Sequence, residues 1–184
     1  MKPTIITIEG ASKSSTNKSQ LVSTMVEKTV GYVSQTIDSS IGKKLVFEEL
    51  YEATIERGPT LFVAKSLGAI RLCQYLRHIR YACAIAPWKV ALIDPHAPFP
   101  ILYGALRAFK FDFDLSANVA NFYQRNRYPR GALVKGAKNI QIIEYRNDVD
   151  HFTIVNHPII IDAIRRAHRQ LISFALNWIL DKDI

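Results

Sequence analysis

Cysteine is scarce in this chain of 184 residues, which has two, Cys73 and Cys83. Both lie among apolar neighbours, outside any C-x-x-C pair or metal-ligand spacing, so buried free thiols are expected and neither a disulfide framework nor a cysteine-based zinc site. Long apolar runs are missing as well. None approaches the roughly 20 residues of a membrane helix, and Met1 to Glu9 enters a strand-like run without the basic, hydrophobic and small-residue order of an export signal. The expectation is a cytoplasmic protein with no transmembrane segment. The sequence also has no internal repeats, no low-complexity segment and no block of five or six like charges. Its formal charge of +8 is spread over modest groups at Arg71, Arg77 and Arg80, at Arg125, Arg127 and Arg130, and at Arg165, Arg166 and Arg169. Each reads as a solvated helix or loop face, which makes nucleic acid the weaker reading of the charge.

What is present is an ordinary globular composition, 48% apolar and 22% charged, of a length that fills one core. One domain over residues 1–184 is expected. Strand-like runs fall at Thr4 to Ile8, Thr60 to Ala64, Lys89 to Ile93, Asn118 to Tyr123 and Asn139 to Tyr145. Helical periodicity separates most of them. It covers Lys18 to Val33, where Asn17 and Gln20 resemble a capping box, and Lys44 to Arg57, ended by Gly58 and Pro59. A third helix follows Ser66, with Ile70, Cys73, Leu76 and Ile79 on its apolar side. The last begins at Pro158 and carries a stripe of Ile160, Ile164, Ala167, Leu171, Ala175 and Trp178. Strands alternating with helices imply an α/β class with a mostly parallel sheet of about five or six strands, right-handed crossovers, and a binding site beyond the carboxyl ends of the strands.

One stretch carries chemistry. Thr60 to Ile70 runs from an apolar strand through Ala64-Lys65-Ser66-Leu67-Gly68 into a helix, which is the context of a nucleophile elbow. Small residues two positions either side of the serine suit a tight turn where bulk would strike neighbouring backbone. The bland alternative is a serine capping the helix. A serine hydroxyl needs a base to take its proton and a carboxylate to orient that base. Asp94 ends the next strand, at the same sheet edge, although an aspartate before Pro95 also suits a plain turn. Of five histidines, His78 and His168 fall on polar helix faces, where solvated histidines are ordinary. His96 is a turn residue or a substrate contact, and His157 suits the start of the last helix. His151, just before that helix, is the favoured base.

Taken together, these segments resemble the α/β-hydrolase superfamily. Val149-Asp150-His151-Phe152-Thr153-Ile154 looks like the histidine segment of thioesterase domains and small lipase-like hydrolases. Ala91-Leu92-Ile93-Asp94-Pro95 looks like their acid-bearing strand end, and Asn121-Phe122-Tyr123-Gln124 with Arg130-Gly131 is similar to a stretch between acid and histidine in bacterial lipase-like proteins. The resemblance spans roughly Thr60 to Ile154. It implies a minimal three-layer sandwich, a small-molecule acyl ester or thioester as substrate, no cofactor and no metal. It also implies an oxyanion hole from the Leu67 N–H and a loop amide, that of Ala11 or Ser12. The front departs from the pattern, since Glu9-Gly10 stands where related hydrolases often carry His-Gly.

Rival readings are a hydrolase-like fold that binds a partner or ligand without catalysis, a P-loop and a metal site. The P-loop fails on spacing, because the stretch from Gly10 to Lys18 is too long and no second glycine precedes Lys18. The acidic residues and histidines of Asp148, Asp150, His151 and His157 match no zinc pattern. Phe99, Phe109, Phe111, Phe113 and Tyr123 are candidates for an apolar acyl pocket or for plain core. Lys65, inside the elbow, is compatible with catalysis if it points away, and could attract acidic substrates.

Overall fold

The computed structural model describes residues 2–10, 21–55, 58–78, 88–96, 118–125, 130–143 and 149–180. Six strands form one sheet: β1 (Thr4–Glu9), β2 (Gln35–Asp38), β3 (Thr60–Lys65), β4 (Trp88–Ile93), β5 (Val119–Tyr123) and β6 (Lys138–Gln141). Their order is β2-β1-β3-β4-β5-β6 and every pairing is parallel. The α/β class and parallel sheet read from the sequence are therefore present. The helices are α1 (Val22–Val30), α2 (Lys43–Ile55), α3 (Leu67–His78) and α4 (Pro158–Leu180).

The central strands are buried on both faces, as parallel strands covered by helices must be. All six residues of β3 are buried, and alternate side chains divide between two apolar clusters. Ile6, Ile8, Phe62 and Ala64 pack with Val46 and Leu50 of α2 and with Ile70 and Cys73 of α3. Ile5, Leu61, Val63 and Ile93 pack on the opposite face with Val22 and Val26 of α1 and with Ile160, Ile164 and Leu171 of α4. Helices thus cover both faces.

The chain leaves β1 for β2 on one side, then returns past β1 to place β3 on the other. That reversal makes a switch point between β1 and β3. At such a point the loops leaving the two strands diverge to opposite faces and open a crevice at the carboxyl edge.

Several sequence expectations need correction. β2 was not among the strand-like runs: Gln35-Thr36-Ile37-Asp38 offers a single strongly apolar side chain, which suffices for a short edge strand. β6 spans Lys138–Gln141, shorter than the expected run to Tyr145. α1 spans Val22–Val30; the expected start at Lys18, with Asn17 and Gln20, lies outside the described residues. The first amides of α1 are held by Glu9, which accepts from Val22 N (3.0 Å), Ser23 N (2.8 Å) and Ser23 Oγ (2.7 Å). A carboxylate at a helix N-terminus satisfies orphan donors and suits the helix dipole. His168 is not a solvated surface histidine. It is half-buried on α4, its Nε2 3.2 Å from Tyr32 Oη, which in turn donates to Pro3 O (2.8 Å). Cys73 is buried with its thiol free, and burial pushes it up to about 12; Cys83 lies outside the described residues. Among the described residues no helix is long and apolar enough to cross a membrane.

Candidate active site

Ser66 follows β3 immediately and opens α3. Its φ is 54°, in the left-handed region that a non-glycine residue enters only where the surrounding structure imposes it. The ladder explains the imposition. Ser66 N still donates to Ile93 O (3.0 Å), continuing the β3–β4 pairing, while the next residue already begins a helix. Two close approaches keep the turn tight. A Cβ on Gly68 would stand 2.6 Å from Ile8 O and 2.7 Å from Glu9 O, and one on Gly10 would stand 2.9 Å from Ser66 Cβ. The end of β1 thus lies directly against the serine, at the switch point. Ser66 itself is half-buried.

Asp94 occupies the corresponding position after β4. Lys65 pairs with Ile93 in register, so Ser66 and Asp94 leave neighbouring strands at one level. Asp94 also has a positive φ, 46°, a conformation that aspartate tolerates better than most residues, and its N–H donates to Phe122 O (2.6 Å). Its side chain is fully buried. Gln124 at the end of β5 holds it, with the backbone N–H donating to Oδ1 (3.0 Å) and the side-chain amide to Oδ2 (3.3 Å). Gly131 presses on it from another side: a Cβ there would lie inside contact distance of Oδ1 and 2.9 Å from Cγ. Gly131 is fixed by its own N–H to Gln124 O (3.0 Å). The next residue is tied by Ala132 N to Pro95 O (2.9 Å) and by Asn121 Nδ2 to Ala132 O (3.0 Å).

His151 lies in the turn before α4 and is buried at 6% exposure. Its Nδ1 is 2.6 Å from Asp94 Oδ2. A carboxylate only accepts, so Nδ1 carries the proton, and in the neutral ring Nε2 then presents its lone pair. The turn is braced from within, since Asp150 Oδ1 accepts from Phe152 N and Thr153 N (2.8 Å each) and from Thr153 Oγ1 (3.0 Å). His157 caps α4 as expected, with its Nδ1 accepting from Ile159 N (3.3 Å). His96 stands edge-on to His151 at 5.5 Å between ring centroids. Burial, reinforced by the neighbouring His151 ring, holds His96 below its ordinary value, against the pull of the Arg130 backbone and Asp94.

Two of the three sequence-derived side chains, Asp94 and His151, are therefore directly bonded, and the third leaves the adjacent strand at the same level. No hydrogen bond joins Ser66 to His151 among the described residues. Leu67 is the first residue of α3, where helix amides lack intrahelical acceptors. Ala11 and Ser12 lie outside the described residues, as do Asp148, Phe99, Phe109, Phe111 and Phe113. Tyr123 is buried and reaches Gln141 Oε1 through its hydroxyl (3.4 Å), which makes it part of the β5–β6 packing. Among the described residues no three metal-ligating side chains converge.

Sequence reasoning missed Gln124 and Gly131 as supports of Asp94. The strand-end position of Gln124, one strand beyond Asp94, is the signal that could have found it. Lys65 is not available to attract an acidic substrate. At 6% exposure it belongs to the α1/α4 side of the sheet, where its Nζ donates to Phe152 O (3.3 Å). No family model and no curated protein sequence matches this chain.

Proposed function

We propose that the protein is a serine hydrolase of the α/β-hydrolase type that cleaves a carboxylic ester or thioester through an acyl-enzyme. One observation carries the reading: a buried Asp94–His151 hydrogen bond of 2.6 Å stands at the sheet edge where Ser66 is held in a left-handed turn. In this reading Ser66 Oγ attacks the acyl carbon and His151 Nε2 takes its proton. The imidazolium that forms is stabilised by Asp94 and then protonates the departing alkoxide or thiolate. Water, deprotonated by the same Nε2, attacks the acyl-serine and releases the carboxylic acid and free Ser66. The negative oxygen of each tetrahedral intermediate is assigned to the Leu67 N–H and to one amide of Ala11 or Ser12. The Ser66–His151 hydrogen bond is expected to close when substrate fills the site, as catalytic contacts commonly tighten in the bound state.

The test is labelling with a serine-directed fluorophosphonate, mapped by mass spectrometry, with hydrolysis of a p-nitrophenyl ester chain-length panel. Wild type should be modified at Ser66 and should turn over short and medium acyl chains. Ser66→Ala should keep its melting temperature, and both Ser66→Ala and His151→Ala should lose on the order of 10⁴-fold or more in kcat. An unlabelled wild type, or equal hydrolysis by all three proteins, sinks the proposal and leaves a binding protein with a hydrolase-like site.

A further inference from the structure

Lys65 is an anomaly that the proposed reaction does not use. It ends the row that Leu61 and Val63 begin on the α1/α4 face, a position that a leucine or methionine would fill without desolvating a charge. Its surroundings show what the ammonium contacts. Nζ donates to Phe152 O at 3.3 Å and lies 5.9 Å from the Phe152 ring centroid. That ring is edge-on to His151, with 5.6 Å between centroids. The residue after His151 is thus held from beneath by Lys65, and the residue before it, Asp150, braces the same turn from within.

We propose that Lys65 is a positioning residue, whose ammonium grips the Phe152 carbonyl and so keeps His151 bonded to Asp94 and aimed at Ser66. The aim at Ser66 rests on the serine hydrolase reading, whereas the grip on the turn does not. Among the described residues, the charged groups facing Lys65 are Glu9 at the end of β1, Asp94 after β4 and Asp150 in the turn. All three favour the ammonium, and burial opposes it more strongly, leaving Lys65 lowered to about 8. Below that pH the grip is charge-assisted; above it a neutral amine holds the carbonyl more weakly.

Lys65→Met and Lys65→Arg test the assignment. For Lys65→Met we expect kcat to fall between about tenfold and a hundredfold at pH 7 with KM nearly unchanged, the signature of a misaimed base. Wild-type kcat should decline as pH rises through about 8. Lys65→Arg, charged throughout, should restore kcat and remove that decline. Independently of turnover, the downfield proton resonance of the His151 Nδ1–H should exchange with water faster in Lys65→Met than in wild type. A Lys65→Met protein with wild-type kcat, an unchanged pH profile and an unchanged His151 resonance would overturn the assignment. If wild type neither turns over esters nor reacts with the fluorophosphonate, the hydrolase reading fails on its own, and the resonance still decides whether Lys65 holds the turn.

Discussion

Gly131→Ala is the sharpest perturbation the site offers, because the glycine lies far from Asp94 in sequence and touches it in space. The added Cβ would stand 2.9 Å from Asp94 Cγ and 2.9 Å from Tyr123 Cβ, against roughly 3.5–4.0 Å for relaxed carbon contacts. The carboxyl group must then retreat by roughly 1 Å, and a shift of that size in a catalytic array costs on the order of a hundredfold in rate. Retreat is also resisted, since Gln124 and His151 both hold the carboxylate. The assay is kcat on a short p-nitrophenyl ester for wild type, Gly131→Ala, Asp94→Ala and the double variant. If Gly131 acts through Asp94, the alanine at 131 costs about 10²-fold in the wild-type background and nothing further once Asp94 is gone. The contact with Tyr123 persists in both backgrounds, so a lowered melting temperature is expected in both and does not discriminate. Wild-type kcat in Gly131→Ala, or losses that multiply in the double variant, would refute the reasoning.

Three further outcomes are expected. Gly68→Ala would drive a methyl group to within 2.6 Å of Ile8 O and 2.7 Å of Glu9 O, backbone atoms that cannot swing aside. It should destabilise the fold by about 3 kcal/mol, read as a lower urea midpoint at constant slope. Glu9→Ala removes three hydrogen bonds from the start of α1 and should cost about 1–2 kcal/mol, with faster amide exchange at Val22 and Ser23. Lys65 also gives a stability signature of definite sign. Its folded value of about 8 lies below the ordinary 10.5, so between them the unfolded chain holds more protons and wild type gains stability as pH rises, by up to ~3 kcal/mol. Lys65→Met should lack that gain in parallel denaturation series at pH 7 and pH 10. Fold stability and kcat should therefore move in opposite directions above pH 8 in wild type, which a purely structural lysine would not produce.

How far the sequence could be read depended on whether the deciding contact was local. β1, β3 and β4 were legible within a residue or so, because strands buried on both faces write themselves as continuous apolar runs. The sharp turn at Ser66 was legible from a strand, small residues and a helix in succession, and the strand-end position of Asp94 from the apolar run before it. Elimination among five histidines singled out His151, and that it meets Asp94 is what the structure adds. The start of α1 was not legible, since its cap comes from Glu9, 13 residues from Val22 in the chain, rather than from a near neighbour. The side chain of Lys65 was assigned no direction, although counting alternation from Leu61 and Val63 would have turned it toward α1 and α4. Nothing near Gly131 in the chain announces that Asp94 lies against it. The partners of His168 are equally hidden, because a polar helix face looks the same whether it meets water or Tyr32.

The shared level at which β3 and β4 end has a consequence for how the molecule matures. A slip of one residue between these strands would set Ser66 beside Ile93 or Pro95 and turn one strand's side chains to the wrong face. A misaligned chain could still be compact and rich in secondary structure, yet its serine and carboxylate would not sit abreast. Under the proposed serine hydrolase reading, fluorophosphonate labelling of Ser66 would therefore report strand alignment, and in a refolding experiment its return should trail the recovery of helix and sheet content.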